Sequence, residues 1–97
     1  VAIQERAIPV DEQVSGACEI LGLDPLYVAN EGIFLAAVDT VVADQLVDRL
    51  RSFPAGRHAT IIGEVVEAHP GQVVLTSGIG GRRVVNMLVG EQLPRIC

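Results

Sequence analysis

VAIQERAIPVDEQVSGACEILG, residues Val1 to Gly22, changes its hydrophobic period once, and the change falls at Pro9. Before it, Val1, Ile3 and Ala7 are apolar with Gln4 and Glu5 between them, the alternation of a short strand. After it, Val10, Val14, Ala17, Cys18 and Leu21 fall on one helical stripe. Asp11 and Glu12 stand at its start, where the positive end of the helix dipole favours them, and Gly22 supplies the stop. A strand passing directly into an amphipathic helix predicts a fold in which sheet and helices share one core.

Working outward, Leu23 to Gly32 carries two turn signals, Asp24-Pro25 and Asn30-Glu31-Gly32, around the short apolar piece Leu26 to Ala29. Ile33 to Val38 is the longest apolar run and reads as a buried strand. Asp39 or Thr40 can cap a second helix with Val42, Leu46, Leu50 and Phe53 on one face and Val47 beside it. Pro54 and Gly56 end that helix. Three β-rich runs follow, Thr60 to Val66, Val73 to Thr76 and Arg82 to Leu88, divided by His69-Pro70-Gly71 and Gly78-Ile79-Gly80-Gly81. The order predicts an α+β sandwich: a mixed β-sheet with two helices on one face.

Composition limits the chemistry. The 97 residues hold seven arginines and no lysine against twelve carboxylates, a formal charge of -5. That balance lacks the electrostatic footprint of a nucleic-acid or anionic-membrane binder, and Schiff-base chemistry and a Walker lysine need a lysine. Tyr27, Phe34 and Phe53 are too few and too scattered for a base-stacking platform. The run Ile33 to Val38 is too short to span a bilayer. Cys18 and Cys97 have no CxxC spacing, which predicts reduced thiols in a cytoplasmic protein. Because the sequence starts at Val1 inside an apolar run, it is expected to be the C-terminal piece of a longer protein.

Few residues remain as candidates for chemistry. The Gly78-Ile79-Gly80-Gly81 cluster is followed by a β-type run, so it predicts a hairpin turn, where a phosphate loop needs a helix. His58 and His69 lie eleven residues apart with no thiol or carboxylate at ligand spacing, so no metal site is predicted. Cys18 sits on the first helix stripe and reads as a small buried hydrophobe. Cys97 follows Pro94, which stops regular structure, and two readings stand: an unstructured end, or a thiol on a swinging arm of roughly 23 Å extended reach. Glu31 likewise reads as a solvated turn acid or as a functional carboxylate, a base only where burial beside a substrate raises its proton affinity.

Four segments together carry a family pattern: Ala7-Ile8-Pro9-Val10; Gly22-Leu23-Asp24-Pro25-Leu26-Tyr27-Val28-Ala29-Asn30-Glu31-Gly32; Ile62-Gly63-Glu64-Val65; and Met87 to Cys97, ending Leu93-Pro94-Arg95-Ile96-Cys97. Over essentially the whole chain this resembles the C-terminal domain of the HypE family of nickel-iron hydrogenase maturation factors. The terminal Pro94-Arg95-Ile96-Cys97 is specific to that family, whereas the fold is shared with aminoimidazole ribonucleotide synthetase and selenophosphate synthetase. The resemblance implies a synthetase-type domain over residues 1–90 and a flexible tail, 91–97, that carries the terminal cysteine. It implies that Cys97 and Glu31 are the catalytic residues. The Cys97 thiol receives a carbamoyl group from the HypF carbamoyltransferase and ATP drives its dehydration to a thiocyanate, Glu31 accepting a proton from the carbamoyl nitrogen.

ATP and Mg are then held mainly by an N-terminal domain of the same protein, in a homodimer, and the cyano group passes to iron on a HypC–HypD scaffold. The present piece alone is expected to be inactive and to contribute no cofactor-binding or metal-binding residue of its own. Two rivals share the sequence evidence: the C-terminal half of a synthetase acting on a free small molecule, and a non-catalytic interaction module. A preceding domain of roughly two hundred residues with acidic and glycine-rich motifs separates the first two readings from the third.

Overall fold

The computed structural model describes residues Val1–Asn86. It contains strands β1 (Ala2–Gln4), β2 (Gly63–Glu64), β3 (Val74–Thr76) and β4 (Arg82–Val84), and helices α1 (Glu12–Leu21) and α2 (Thr40–Arg51). The strands form one mixed sheet in the order β2-β1-β3-β4, so the architecture is the expected α+β. The chain divides into two compact units, whose described parts are residues 1–9 with 36–86 and residues 10–35.

The first unit holds the sheet. β1 lies between an antiparallel neighbour, β2, with Ala2 opposite Glu64 and Ile3 opposite Gly63, and a parallel neighbour, β3, with Ile3 opposite Leu75. Gln4 N–H donates to Ile62 O at 2.8 Å and Val74 N–H to Val1 O at 2.8 Å, closing the ladders on both sides. Gly63 is required by this pairing: a Cβ there would collide with the backbone of Ala2 and Ile3. Leu75 is 0% exposed and is the centre of the unit's core. β4 closes the sheet as an antiparallel hairpin with β3. Its turn is Ser77 to Gly81, where Gly80 takes φ 94° and Ser77 N–H donates to Gly81 O at 2.6 Å. The glycine cluster is thus a hairpin turn, as its following β-type run predicted. Arg82 and Arg83 put charge on this edge strand, a common guard against edge-to-edge pairing.

In the same unit α2 begins at Asp39, whose carboxylate accepts Val41 N–H at 2.9 Å. Leu46, Val47 and Leu50 are half-buried, but Val42 and Phe53, expected on the same inward face, are exposed. Phe53 lies past the last helical turn and is covered differently: the Arg49 guanidinium stands 5.4 Å from its ring centroid. Arg51 Nε donates to Ala59 O at 2.8 Å, tying the following loop to the helix end.

The second unit contains α1. Asp11 caps it by accepting Gln13 N–H at 3.1 Å, and Gly22 ends it at φ 68°, a left-handed conformation that glycine adopts without steric cost. Leu23 N–H returns to Cys18 O at 2.8 Å. Of the predicted stripe only Cys18 is buried, at 5% exposure; Val10, Val14, Ala17 and Leu21 are exposed. Periodicity fixes which residues share a face, whereas the depth of cover depends on what packs there.

Two further expectations are corrected. Ile33 to Val38 forms no strand and is not buried: Phe34 is 71% and Leu35 80% exposed, and the segment carries the chain from one unit to the other. A strand exists only where a partner ladder takes its N–H and C=O groups, and among the described residues the sheet is completed by β1 to β4 without this run. The runs Thr60 to Val66 and Arg82 to Leu88 shrink to Gly63–Glu64 and Arg82–Val84, with 87 and 88 outside the described residues. Apolar β-branched sequence marks where pairing is possible; register decides how much of it is used.

Candidate functional site

The turn that carries Glu31 is built by two successive side-chain hydrogen bonds. Asp24 accepts Leu26 N–H at 3.0 Å, and its own carbonyl accepts Tyr27 N–H at 2.9 Å, making Pro25–Tyr27 a single turn of 3-10 helix that lies against α1. Pro25 suits its first position, because φ is already set and no N–H is needed there. Val28 N–H closes the turn on Pro25 O at 3.3 Å, and the backbone then extends to Asn30. There the Asn30 carbonyl oxygen Oδ1 accepts Gly32 N–H at 2.9 Å.

This Asx-type bond bends the chain around Glu31 and fixes where its Cα sits. Glu31 itself is exposed, with no hydrogen bond or ion pair among the described residues. The described residues therefore present an exposed carboxylate on a held turn. Gly32 is not among the glycines with positive φ, and a Cβ there would meet only Asn30 Oδ1, at 3.7 Å. Among the described residues no other atom comes within 4 Å of that position.

The other candidates are not brought to this turn. Cys97, named as the second catalytic residue, lies outside the described residues. Cys18 is buried as a free thiol in α1, as expected of a packed residue. His58 accepts a hydrogen bond at Nε2 from Arg57 Nε at 3.2 Å, and His69 occupies a loop at φ 56°. Among the described residues no three of His, Cys, Asp and Glu converge as metal ligands, so this part of the chain has no donor set that fits Mg. No described helix is long and apolar enough to cross a membrane. Sequence reading treated Asn30 only as a turn signal; its structural role was already encoded in the Asn-x-Gly spacing, which places an amide oxygen two residues before a backbone donor.

The family described as AIR synthase related protein, C-terminal domain, matches residues 1–76. The chain belongs to this family. Among curated relatives, "Carbamoyl dehydratase HypE" of Rhodobacter capsulatus is 48% identical over 97 residues, all of this chain and 28% of the relative. The protein of the same name from Azotobacter vinelandii is 54% identical over 93 residues, 96% of this chain and 27% of the relative. The chain therefore spans little more than a quarter of the length of these relatives. Solved structures agree with the family assignment. Escherichia coli HypE, described as a hydrogenase maturation protein, superposes with a TM-score of 0.86 at 45% identity, covering 99% of this chain and 29% of that one. A HypE in complex with ATP gives 0.80 at 44% identity, covering 99% and 30%. HypE in a HypE–HypF complex gives 0.80 at 35% identity, covering 88% and 27%. The four sequence segments thus resemble the same HypE proteins to which the whole chain is similar.

Proposed function

We propose that this chain is the C-terminal domain of an ATP-dependent carbamoyl dehydratase that makes a thiocyanate on its own Cys97, the source of the cyanide ligands of nickel-iron hydrogenase. The observation that carries the reading is the match at 48% identity across all 97 residues to a relative named for that activity. In this reading residues 1–90 form the domain and 91–97 the arm that bears the thiol. HypF transfers the carbamoyl group to Cys97; the solved HypE–HypF complex supports that partner. The arm then enters an ATP site built mainly by the preceding domain across a homodimer, and the solved HypE complex with ATP supports the co-substrate. Mg belongs with that preceding domain too, since the described residues offer no ligand set for it. All of this takes place in the cytoplasm, and the cyano group leaves for iron on a HypC–HypD scaffold.

The chemistry balances without a redox partner. The carbamoyl oxygen attacks the terminal phosphorus of ATP and ADP leaves. The carbon–oxygen bond then breaks, with its electron pair departing on phosphate, as the two nitrogen-borne protons are removed and the carbon–nitrogen triple bond forms. Glu31 takes one of those protons and the departing phosphate carries away the other. Its exposure in the isolated chain is consistent with a base that completes its environment only when the arm and the preceding domain close over it.

The test is mass spectrometry of the C-terminal peptide from the full-length protein, supplied with the carbamoyltransferase, a carbamoyl donor and ATP. A carbamoyl adduct on Cys97 should appear first and a species lighter by one water should follow. Cys97→Ala should abolish both. Cys97→Ser should yield no thiocyanate, because an alkoxide is far rarer than a thiolate at neutral pH. An adduct on Cys18, or normal hydrogenase maturation with Cys97→Ala, would overturn the reading.

A further inference from the structure

The chain is acidic as a whole, yet Arg49, Arg51, Arg57 and His58 fall in a stretch that holds no carboxylate before Glu64. The backbone folds this stretch back on the end of α2. Gly56 N–H donates to Phe53 O at 3.0 Å and Ala59 N–H to Gly56 O at 2.9 Å, while Arg51 Nε reaches Ala59 O at 2.8 Å. Gly56 approaches Leu50 so closely that a Cβ there would collide with its carbonyl group. Arg57 and His58 are thereby brought beside the last turn of the helix. All of these residues belong to the first unit, 1–9 with 36–86, every residue of which is described.

Arginines in a last helical turn offset the negative end of the helix dipole, which accounts for the position of Arg49 and Arg51. The dipole does not account for Arg57, which lies past the helix, nor for the way the three guanidinium groups are held. Arg51 uses Nε on Ala59 O, Arg57 uses Nε on His58 Nε2 at 3.2 Å, and Arg49 stands 5.4 Å from the Phe53 ring centroid. With Nε engaged, the N–H groups of Nη1 and Nη2 remain, and their outer edge matches the two oxygens of one carboxylate. Among the described residues none of the three arginines has an ion-pair partner. All three are exposed, and Phe53 in their midst is 52% exposed. Side chains fixed in advance lose little freedom on binding, and arginine with an aromatic ring is the composition that interface hot spots favour.

We infer that Arg49, Arg51, Phe53 and Arg57 form a docking surface for an acidic segment of a partner protein, whose carboxylates take the guanidinium edges and whose apolar side chain between them meets the Phe53 ring. Charge complementarity selects this occupant. A second copy of this chain, a nucleic acid or an anionic membrane is repelled at long range by the net charge of -5. A short segment bearing a few carboxylates feels mainly the charges within a screening length of about 8 to 10 Å, and there the arginines dominate. The ring adds an apolar contact that phosphate groups do not use.

The experiment measures fluorescence anisotropy of a labelled short peptide, glutamates on both sides of a central leucine, titrated with the full-length protein. Wild type should bind it, and Arg49→Glu with Arg57→Glu should weaken binding at least about tenfold. Arg6→Glu with Arg82→Glu changes the net charge by the same amount elsewhere in the same unit and should stay within about twofold of wild type. A peptide with arginines in place of the glutamates should bind Arg49→Glu with Arg57→Glu more tightly than it binds wild type. Arg49→Gln with Arg57→Gln, which keeps a polar side chain of similar reach without charge, should also lose affinity and serves if the glutamate pair fails to fold. No binding by wild type, or an equal loss in the two glutamate pairs, overturns the inference. Displacement of the peptide by a DNA duplex or by phosphatidylserine vesicles at equal anionic charge would assign the arginines to phosphate groups and overturn it as well.

Discussion

Gly63→Ala should be a strongly damaging single-methyl change. The added Cβ would lie 2.7 Å from Ile3 Cα and closer still to the carbonyl oxygen of Ala2, against an ordinary carbon contact of roughly 3.5 to 4 Å. The obstacle is backbone, so relief requires β2 to retreat from β1 by about 1 Å. The Gln4 N–H to Ile62 O bond, now 2.8 Å, would then pass beyond bonding distance and forfeit about 1 kcal/mol. Crowding adds about 1 to 3 kcal/mol, for a total of about 2 to 4 kcal/mol. Reduced freedom of the unfolded chain adds up to about 1 kcal/mol more in favour of folding for any Gly→Ala change, which trims the loss. For a chain of this length each kcal/mol moves the midpoint by about 4 to 8 °C. Thermal unfolding followed by circular dichroism should therefore show a drop of about 4 °C or more. Gly22→Ala, strained only by its φ of 68°, should lose less, and Gly32→Ala, with neither strain nor collision, should be neutral or slightly stabilising. A Gly63→Ala midpoint within about 2 °C of wild type, or a larger loss at Gly32, would refute the argument from close approach of β1 and β2.

Leu75→Ala truncates a fully buried side chain of the sheet and should cost about 2 to 5 kcal/mol, read as a shift in the urea midpoint at unchanged slope. Cys18, 5% exposed, should resist a thiol reagent under native conditions and react only as fast as its unit opens; immediate labelling would contradict its burial. Glu31→Gln in the full-length protein should leave carbamoylation of Cys97 intact and slow its dehydration, whereas equal rates would return Glu31 to the role of a turn residue. Isothermal titration of the 97-residue chain with Mg-ATP should give no measurable binding, since the described residues hold neither a Mg ligand set nor a glycine loop leading into a helix; tight stoichiometric heat would relocate the nucleotide site to this chain.

The local features were legible because they are chemically local. Asp11 and Gly22 bracket α1 by a cap and a left-handed stop, and Asp39 starts α2, each readable within a few residues. The Gly78 to Gly81 turn was legible for the same reason. The position of β1 between β2 and β3 was not, because it depends on partners far along the chain that leave no trace near Ala2. Ile33 to Val38 was misread because an apolar run marks where cover and pairing are favourable, whereas ladder partners elsewhere in the chain decide whether a strand forms. At the candidate site the turn around Glu31 was visible in Asn30 and Gly32, but the exposure of its carboxylate depends on neighbours that short-range sequence does not name.

The placement of β1 bears on how the chain is made. Its ladder partners follow 60 residues after Ile3, at Gly63, and 72 after Ala2, at Val74. At a synthesis rate of about 5 to 20 residues per second, β1 leaves the ribosome and waits about 3 to 14 seconds for both neighbours. Each helix closes its own hydrogen bonds within microseconds of emerging, so α1 and α2 can form while β1 still lacks a ladder on either side. Its free N–H and C=O groups are then a template for the wrong strand, from this chain or from another on the same polysome. The nascent protein is at its most vulnerable until residues 63–76 emerge, and a trigger-type chaperone that shields β1 over that interval would guard the assembly of the whole sheet.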